Sequence, residues 1–227
     1  MPSKSSSTLC KRLGYVFSQP QLLQRALTHR SYAAEHNERL EFLGDSILGC
    51  VIAKYLYGSY PQLSEGELSR LRSNLVKEET LALLAQQLDL GSYLRLGEGE
   101  RKSAGFRRPS ILADAMEALF GAVMLDSGYA SAEKVVLGLL VPYLQNVDVK
   151  TLGKDAKTLL QEYLQGKRIA LPVYTVVATQ GEAHAQLFTV ECAIPLLNIV
   201  TCGEGSSRRN AEQHSAMAAY KMIEDQP

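Results

Sequence analysis

Glu38, Glu41 and Asp45 stand at i, i+3 and i+7 in the run Asn37–Ser46 (NERLEFLGDS). On a helix, at about 100° per residue, the three fall within roughly 60° of one another. Asp114 and Glu117 form a second i, i+3 pair inside the otherwise apolar stretch Ile111–Phe120. Two acids on a buried helix are costly unless something neutralises them, and this stretch contains no Lys or Arg. A divalent cation would do so for both stretches if their helices face each other. Oxygen-only ligands favour magnesium or manganese over zinc. A di-iron bundle would want Glu-x-x-His pairs, but three residues after Glu38, Glu41 and Glu117 come Glu41, Gly44 and Phe120. An oxygen-only site suits phosphoryl chemistry, because the cation eases deprotonation of water and steadies charge on the phosphate. A plain solvated acidic face is the competing reading, and spacing alone leaves it open. Glu65, at the start of another helix, could orient water or be an ordinary first-turn acid favoured by the helix dipole. Gly44 costs about 1 kcal/mol inside a helix; it either lets a second backbone come close or is a tolerated defect. The histidines (His29, His36, His184, His214) are scattered, and His29 reads as a packing or capping residue. Neither a GxxxxGK[ST] loop nor a GxSxG elbow occurs, which argues against nucleotide hydrolysis and serine esterase chemistry.

The elements that must position these acids are helical from Lys11 to Tyr143. Asn37 suits an N-cap for the first acidic helix, and Leu40, Leu43, Ile47 and Val51 offer it an apolar stripe. Leu81, Leu84, Ala85 and Leu88 share one helix face, and Ser64–Glu67 reads as a capping box. Gly91, Gly97, Gly99 and Gly105 punctuate a mobile loop before Ile111. After the polar linker Gln145–Asp155 the period changes. Thr158–Gln165 reads as a short helix with Gly166 as its C-cap, and Pro172–Thr179 has strand composition. Gln186–Ile194 alternates, with Phe188, Val190, Cys192 and Ile194 on one face; Leu197–Cys202 reads as a third strand. Ser206–Ile223 is helical, and Ala211, Ser215, Ala218, Ala219 and Met222 form a small-residue face suited to lie on a sheet. The expected organisation is an all-α domain over 1–150 and an α-β-β-β-α domain of α+β class over 154–227.

The chain has 227 residues, 46% of them hydrophobic, with 24 Lys+Arg against 24 Asp+Glu. The apolar fraction excludes a disordered chain, and the zero net charge argues against a simple polycationic nucleic-acid coat. No apolar run reaches the roughly 20 residues of a membrane span, and the opening MPSKSSST lacks the apolar stretch of a secretory signal. Cys10, Cys50, Cys192 and Cys202 show no CxxC spacing, so a reducing cytoplasm is the expected location. From Lys154 onward there are 7 Lys+Arg against 8 Asp+Glu, yet the cations are placed usefully. Gly203–Asn210 is a Gly-rich turn carrying Ser206, Ser207, Arg208 and Arg209 into a helix N-terminus, where backbone amides and guanidinium groups attract phosphate. Gln161, Glu162 and Gln165 lie on the outer face of the preceding helix, where they could meet 2′-hydroxyls. The loop Gly181–His184 is a third contact, through His184. A-form RNA is read through such a set: two minor grooves and the major-groove phosphates between them. Taken singly, each cluster is as readily an ordinary cap or hairpin turn.

Asn37–Leu48 (NERLEFLGDSIL) resembles the defining motif of the bacterial ribonuclease III family. The resemblance extends over Ala26–Tyr32 (ALTHRSY), Phe106–Val123 (FRRPSILADAMEALFGAV), Leu160–Gly166 (LQEYLQG), Gly181–His184 (GEAH) and Gly205–Gln213 (GSSRRNAEQ). It implies an all-α endonuclease domain followed by a double-stranded-RNA-binding domain, acting as a homodimer that cuts both strands of a duplex. It further implies Mg²⁺, with Mn²⁺ able to substitute, and 5′-phosphate and 3′-hydroxyl ends with short 3′ overhangs. The implied substrates are ribosomal RNA precursors and some messenger and transfer RNA transcripts. By motif position Glu41, Asp114 and Glu117 match the family's metal ligands. Asp45 and Glu117 match the residues most directly tied to catalysis, and Glu38 and Glu65 further acids of the catalytic valley. Glu41, Asp45, Asp114 and Glu117 are therefore expected to hold the metal and its nucleophilic water. Phe42 matches the family's dimer contact. The alternatives, a non-enzymatic RNA-binding protein and a structural helical protein with a solvated acidic face, are disfavoured because none of the six acids is lost. One position departs from the pattern: after Ser-Ser-Arg-Arg the family commonly has another basic residue, and here stands Asn210. A shallower salt dependence of binding is expected from it.

Overall fold

α7 (Pro109–Ser127) organises the first half of the molecule, and its sequence says why. From Ile111 to Val123 every residue is buried except Asp114 and Glu117, which are half-buried. A helix apolar all round must be surrounded on all sides. In the computed structural model, which describes residues 6–145, 154–181 and 186–224, the chain forms two compact units, Met1–Leu152 and Gly153–Pro227. In the first, α7 is packed by α2 (Pro20–Ala26), α3 (Glu38–Ser59), α5 (Glu78–Gln87) and α8 (Tyr129–Gln145). α1 (Ser6–Leu13), α4 (Glu65–Val76) and the short α6 (Glu98–Lys102) complete it. The capping box forms: Ser64 Oγ accepts from the Glu67 amide, and the Ser64 amide donates to the Glu67 carboxylate. Leu81, Leu84, Ala85 and Leu88 are all buried.

Three local expectations are corrected. Asn37 is buried with helical backbone angles (φ −84°, ψ −16°) and no side-chain cap. Its amide donates to Thr28 O instead. The buried stripe of α3 is Leu40, Gly44, Leu48, Val51 and Ile52, with Leu43 and Ile47 only half-buried. The stripe passes through a residue without a side chain, which a hydropathy pattern cannot register. The glycine-punctuated stretch before Ile111 holds α6 and two 3₁₀ turns, Leu90–Ser92 and Gly105–Arg107. Gly97 there lies so close to Ser31 that a Cβ would fall 2.3 Å from the Ser31 carbonyl oxygen.

The second unit is an antiparallel sheet of β1 (Val173–Gln180), β2 (Leu187–Ile194) and β3 (Ile199–Gly205) in the order β1-β2-β3. Its helices are α9 (Ala156–Gly166) and α10 (Arg208–Glu224). Val173, Ala193 and Val200 pair across it, and a bulge interrupts β1 between Val176 and Ala178. The alternation in β2 holds, with Val190, Cys192 and Ile194 fully buried. α10 lies on β2 and β3 through Ala211, Ser215, Ala216, Ala219 and Ile223; Met222 is exposed and Ala218 half-buried, contrary to expectation. The approach is close: a Cβ on Gly203 would fall 2.2 Å from the Ser215 amide nitrogen, and Thr201 Oγ1 donates to Ser215 O. The third strand starts later than expected because Pro195–Leu197 forms a 3₁₀ turn. The left-handed residue after α9 is Arg168 (φ 58°), while Gly166 remains helical. Among the described residues no helix is long and apolar enough to cross a membrane, and all four cysteines are free.

Candidate functional site

The two acidic stretches meet because α3 and α7 cross at glycines. A Cβ on Gly44 would sit 1.7 Å from the Glu117 carbonyl oxygen, and one on Gly121 would sit 2.2 Å from the Leu40 carbonyl oxygen. Backbones this close cannot admit even alanine. Of the two readings left open for Gly44, close approach of a second backbone is the one that holds, and its counterpart Gly121 went unnoticed because it sits in a run that already reads as apolar helix.

This crossing brings carboxylate oxygens of Glu41, Asp114 and Glu117 within 4.8 Å of one another, all three residues half-buried. Burial pushes the Glu117 carboxyl up to about 8, and the charges of Asp45, Glu41 and Asp114 push the same way. Burial, then Asp114 and Glu38, raise Glu41, while Arg30 draws it down. Asp114 is raised by burial and then by Glu78, with His29 and Arg30 opposing. Each raised carboxyl means that the ionised set is unfavourable without a compensating cation. Three carboxylates and no nitrogen or sulfur make a donor set for a hard divalent ion.

Of the other expected acids, Asp45 and Glu38 border the group. Asp45 is exposed and outside the 4.8 Å group, yet near enough to act on Glu117. Glu38 is exposed and ion-paired with Arg30 at 3.3 Å. Glu65 is exposed in the first turn of α4, where it accepts from Ser69 Oγ at 2.8 Å. A cleft of about 610 Å³ opens beside the acids, lined among others by His29, Arg30, Glu38, Glu41, Glu100 and Asp114. Arg108, also on this cleft, pairs with Glu100 at 3.1 Å. The sequence reading missed Arg30, Glu78, Glu100 and Arg108 as neighbours of the acids. The ALTHRSY motif hinted at Arg30 and the Phe106–Val123 motif at Arg108; Glu78 and Glu100 arrive from segments whose local pattern says nothing of the site.

In the second unit the N-termini of α9 and α10 are stitched together. Lys157 Nζ reaches Glu212 at 2.5 Å, Arg208 Nε reaches the same carboxylate at 2.9 Å, and the Lys157 amide donates to Gln213 Oε1. Asp155 caps α9 by accepting from the Thr158 amide; burial pushes its carboxyl up, but the hydrogen bonds from Thr158 and Gln213, with Arg209 behind them, hold it below the usual range. Arg208 is thus shared with an internal acid, while Arg209 and Ser206 are exposed. Ser207 Oγ accepts from the Asn210 amide and so caps α10. Gln161, Glu162 and Gln165 are exposed on α9, with Glu162 paired to Lys154 at 2.6 Å. His184 lies outside the described residues.

Comparison with known proteins agrees with this division. Residues 19–144 match the family described as Ribonuclease-III-like, and residues 156–223 match the double-stranded RNA binding motif. Ribonuclease 3 of Ralstonia pickettii (strain 12J) is 63% identical over 95% of this chain and 84% of its own length. Ribonuclease 3 of Bordetella pertussis (strain Tohama I) is 61% identical over 97% of this chain and 86% of its own. Among solved structures, the nuclease domain of ribonuclease III from Campylobacter jejuni has a TM-score of 0.61 at 39% identity, covering 64% of this chain and 99% of that one. A second structure of that domain, concerned with structural flexibility in a region involved in dimer formation, has a TM-score of 0.60 at 40% identity and covers 61% and 97%.

Proposed function

The chain belongs to the ribonuclease III family and carries a double-stranded RNA binding motif behind its nuclease unit; from that premise we propose that it cuts both strands of duplex RNA with Mg²⁺, or Mn²⁺ in its place. The observation that carries the metal dependence is the meeting of Glu41, Asp114 and Glu117 within 4.8 Å. These residues fit a hard divalent ion: all three are half-buried, and no donor but carboxylate oxygen belongs to the group. When bound, the ion supplies positive charge against the phosphate and lowers the cost of deprotonating water.

The protein's own groups divide the remaining work. Glu41, Asp114 and Glu117 hold the ion. Glu117 carries a proton on its carboxyl below about pH 8 in the metal-free protein and gives it up when the site is charged. Asp45, exposed at the edge of the group, orients the attacking water. Glu38 and Glu65 serve as further acids of the valley. The products are 5′-phosphate and 3′-hydroxyl ends with short 3′ overhangs, and the cellular substrates are ribosomal RNA precursors and some messenger and transfer RNA transcripts in the cytoplasm. In the second unit Gln161, Glu162, Gln165, Ser206, Ser207, Arg208 and Arg209, with His184, meet the duplex. Homodimer formation is supported by α3, which leaves Phe42, the residue that matches the family's dimer contact, 78% exposed.

The test is a gel shift with a defined duplex in Ca²⁺, followed by Mg²⁺ and end-mapping of the products. Binding and then cutting to staggered 5′-phosphate ends is the expected result. Binding without cutting would contradict the enzymatic reading.

A further inference from the structure

Thr28–Ser31 belongs to no helix, yet it is held from several sides. Thr28 bridges Arg95 in parallel register. The His29 amide donates to Arg95 O at 3.0 Å, the Arg95 amide to Leu27 O at 2.8 Å, and the Asn37 amide to Thr28 O at 2.9 Å. The Gly97 amide donates to Ser31 Oγ at 2.9 Å, and the same hydroxyl shares a hydrogen bond with His29 Nδ1. The Arg95 guanidinium reaches Thr28 Oγ1 at 3.3 Å and lies 4.5 Å from the centre of the Tyr32 ring. A non-helical segment fastened this thoroughly presents its side chains at fixed positions. Three of them, His29, Arg30 and Ser31, line the cleft beside Glu38, Glu41 and Asp114.

Arg30 needs a reason to be there. Its side chain is 71% exposed, and its ion pair with Glu38 joins two solvent-accessible groups. Such pairs contribute little to stability, so folding does not account for it. RNA does. A phosphodiester entering a cleft walled by carboxylates is repelled, and a guanidinium fixed at the wall offsets that repulsion. Of its five N–H donors, one is directed at Glu38, and the planar fork suits phosphate oxygens.

We propose that Arg30 takes a non-bridging oxygen of a backbone phosphodiester beside the acidic group, and that Glu38 acts as its positioning residue and not as a further metal ligand. This rests on the duplex-RNA cleavage proposed above. Glu38 lies outside the carboxylate group, and its Oε1 lies 3.3 Å from the Arg30 guanidinium.

The test uses the full chain with Arg30→Ala, Arg30→Lys, Glu38→Gln and, for comparison, Glu41→Gln. Thermal melting, duplex affinity in Ca²⁺ across a salt series, and cleavage across a Mg²⁺ series are measured on each. Arg30→Ala melts as wild type, its plot of log affinity against log salt is shallower by about 1, and kcat/KM falls about 10- to 100-fold. Arg30→Lys recovers part of both. Glu38→Gln lowers kcat/KM without moving the Mg²⁺ half-saturation, whereas Glu41→Gln raises it. Wild-type salt slope and turnover in Arg30→Ala would overturn the phosphate contact. A half-saturation raised by Glu38→Gln as far as by Glu41→Gln would overturn the positioning role. Failure of the underlying activity shows separately, as a wild-type chain that leaves the duplex uncut, and would take the inference with it.

Discussion

Glu117 concentrates the physics of the site. It belongs to a helix that is otherwise buried through Ile111–Val123 apart from Asp114, and burial with three acidic neighbours lifts its carboxyl from 4.5 to about 8. Between those values the metal-free folded state holds a proton that the unfolded chain has released. Stability from this group is therefore full below about 4.5 and lost as pH rises through about 8. Melting of metal-free wild type should fall across that window, and melting of Glu117→Gln should fall less. The same variant should lose at least about 100-fold in cleavage, because even partners one shell out from a metal are worth 10- to 100-fold, while gel shift shows duplex binding intact. A variant that cuts at the wild-type rate would refute the role. At this scale the acids were legible, since two costly carboxylates in an apolar helix demand an explanation. Arg30, Glu78 and Glu100 were not, because nothing in their local sequence says which distant group they will face.

At the scale of elements, the α3–α7 crossing decides whether the acids meet. Gly44→Ala places a methyl 1.7 Å from the Glu117 carbonyl, so the helices must part. Overpacking of this kind costs about 1–3 kcal/mol or more. The expected result is a lowered denaturant midpoint together with lost cleavage, and a variant with wild-type midpoint and turnover would contradict the crossing. Asp126, at the end of α7, joins α7 to α2. Its carboxylate accepts from the Ser18 and Gln19 amides at 2.8 and 2.9 Å and from the Ser18 and Tyr15 hydroxyls. Burial is the largest single effect and pushes the carboxyl up, but these bonds together outweigh it and hold its pKa down to about 2 from 3.8. Its stabilisation is present above about 3.8 and lost as pH falls through about 2. Asp126→Asn should lower the melting temperature at neutral pH and flatten the acid limb of the stability profile; an unchanged limb would refute the assignment. Helix faces, the Ser64–Glu67 box and the β2 alternation were legible because they are local. The small-residue face of α10 was only partly so: Ala216 and Ile223 replace Ala218 and Met222, since the turn of the helix that meets the sheet is set by β3, not by α10 alone.

For the whole molecule the telling quantity is where charge sits. The net charge is zero, and the α10 turn offers less free cation than its sequence suggests, because Glu212 engages both Arg208 and Lys157. Releasing them in Glu212→Gln should steepen the salt dependence of duplex binding by about 1, measured as affinity across a salt series. An unchanged slope would mean that neither cation faces the RNA. Composition could announce a neutral small domain, and Arg208 with Glu212 at i, i+4 is a local helix pattern, but Lys157 meeting the same acid and the burial of Glu212 needed the fold.

The proposed function stands or falls with Glu41, Asp114 and Glu117 taking one cation between them. Calorimetric titration of the full chain with Mn²⁺ near neutral pH, repeated in buffers of different ionisation heat, tests it directly. Binding with release of about one proton per ion is expected, as is loss of both the release and most of the affinity in Glu117→Gln. Binding that releases no proton and is indifferent to that substitution would contradict it.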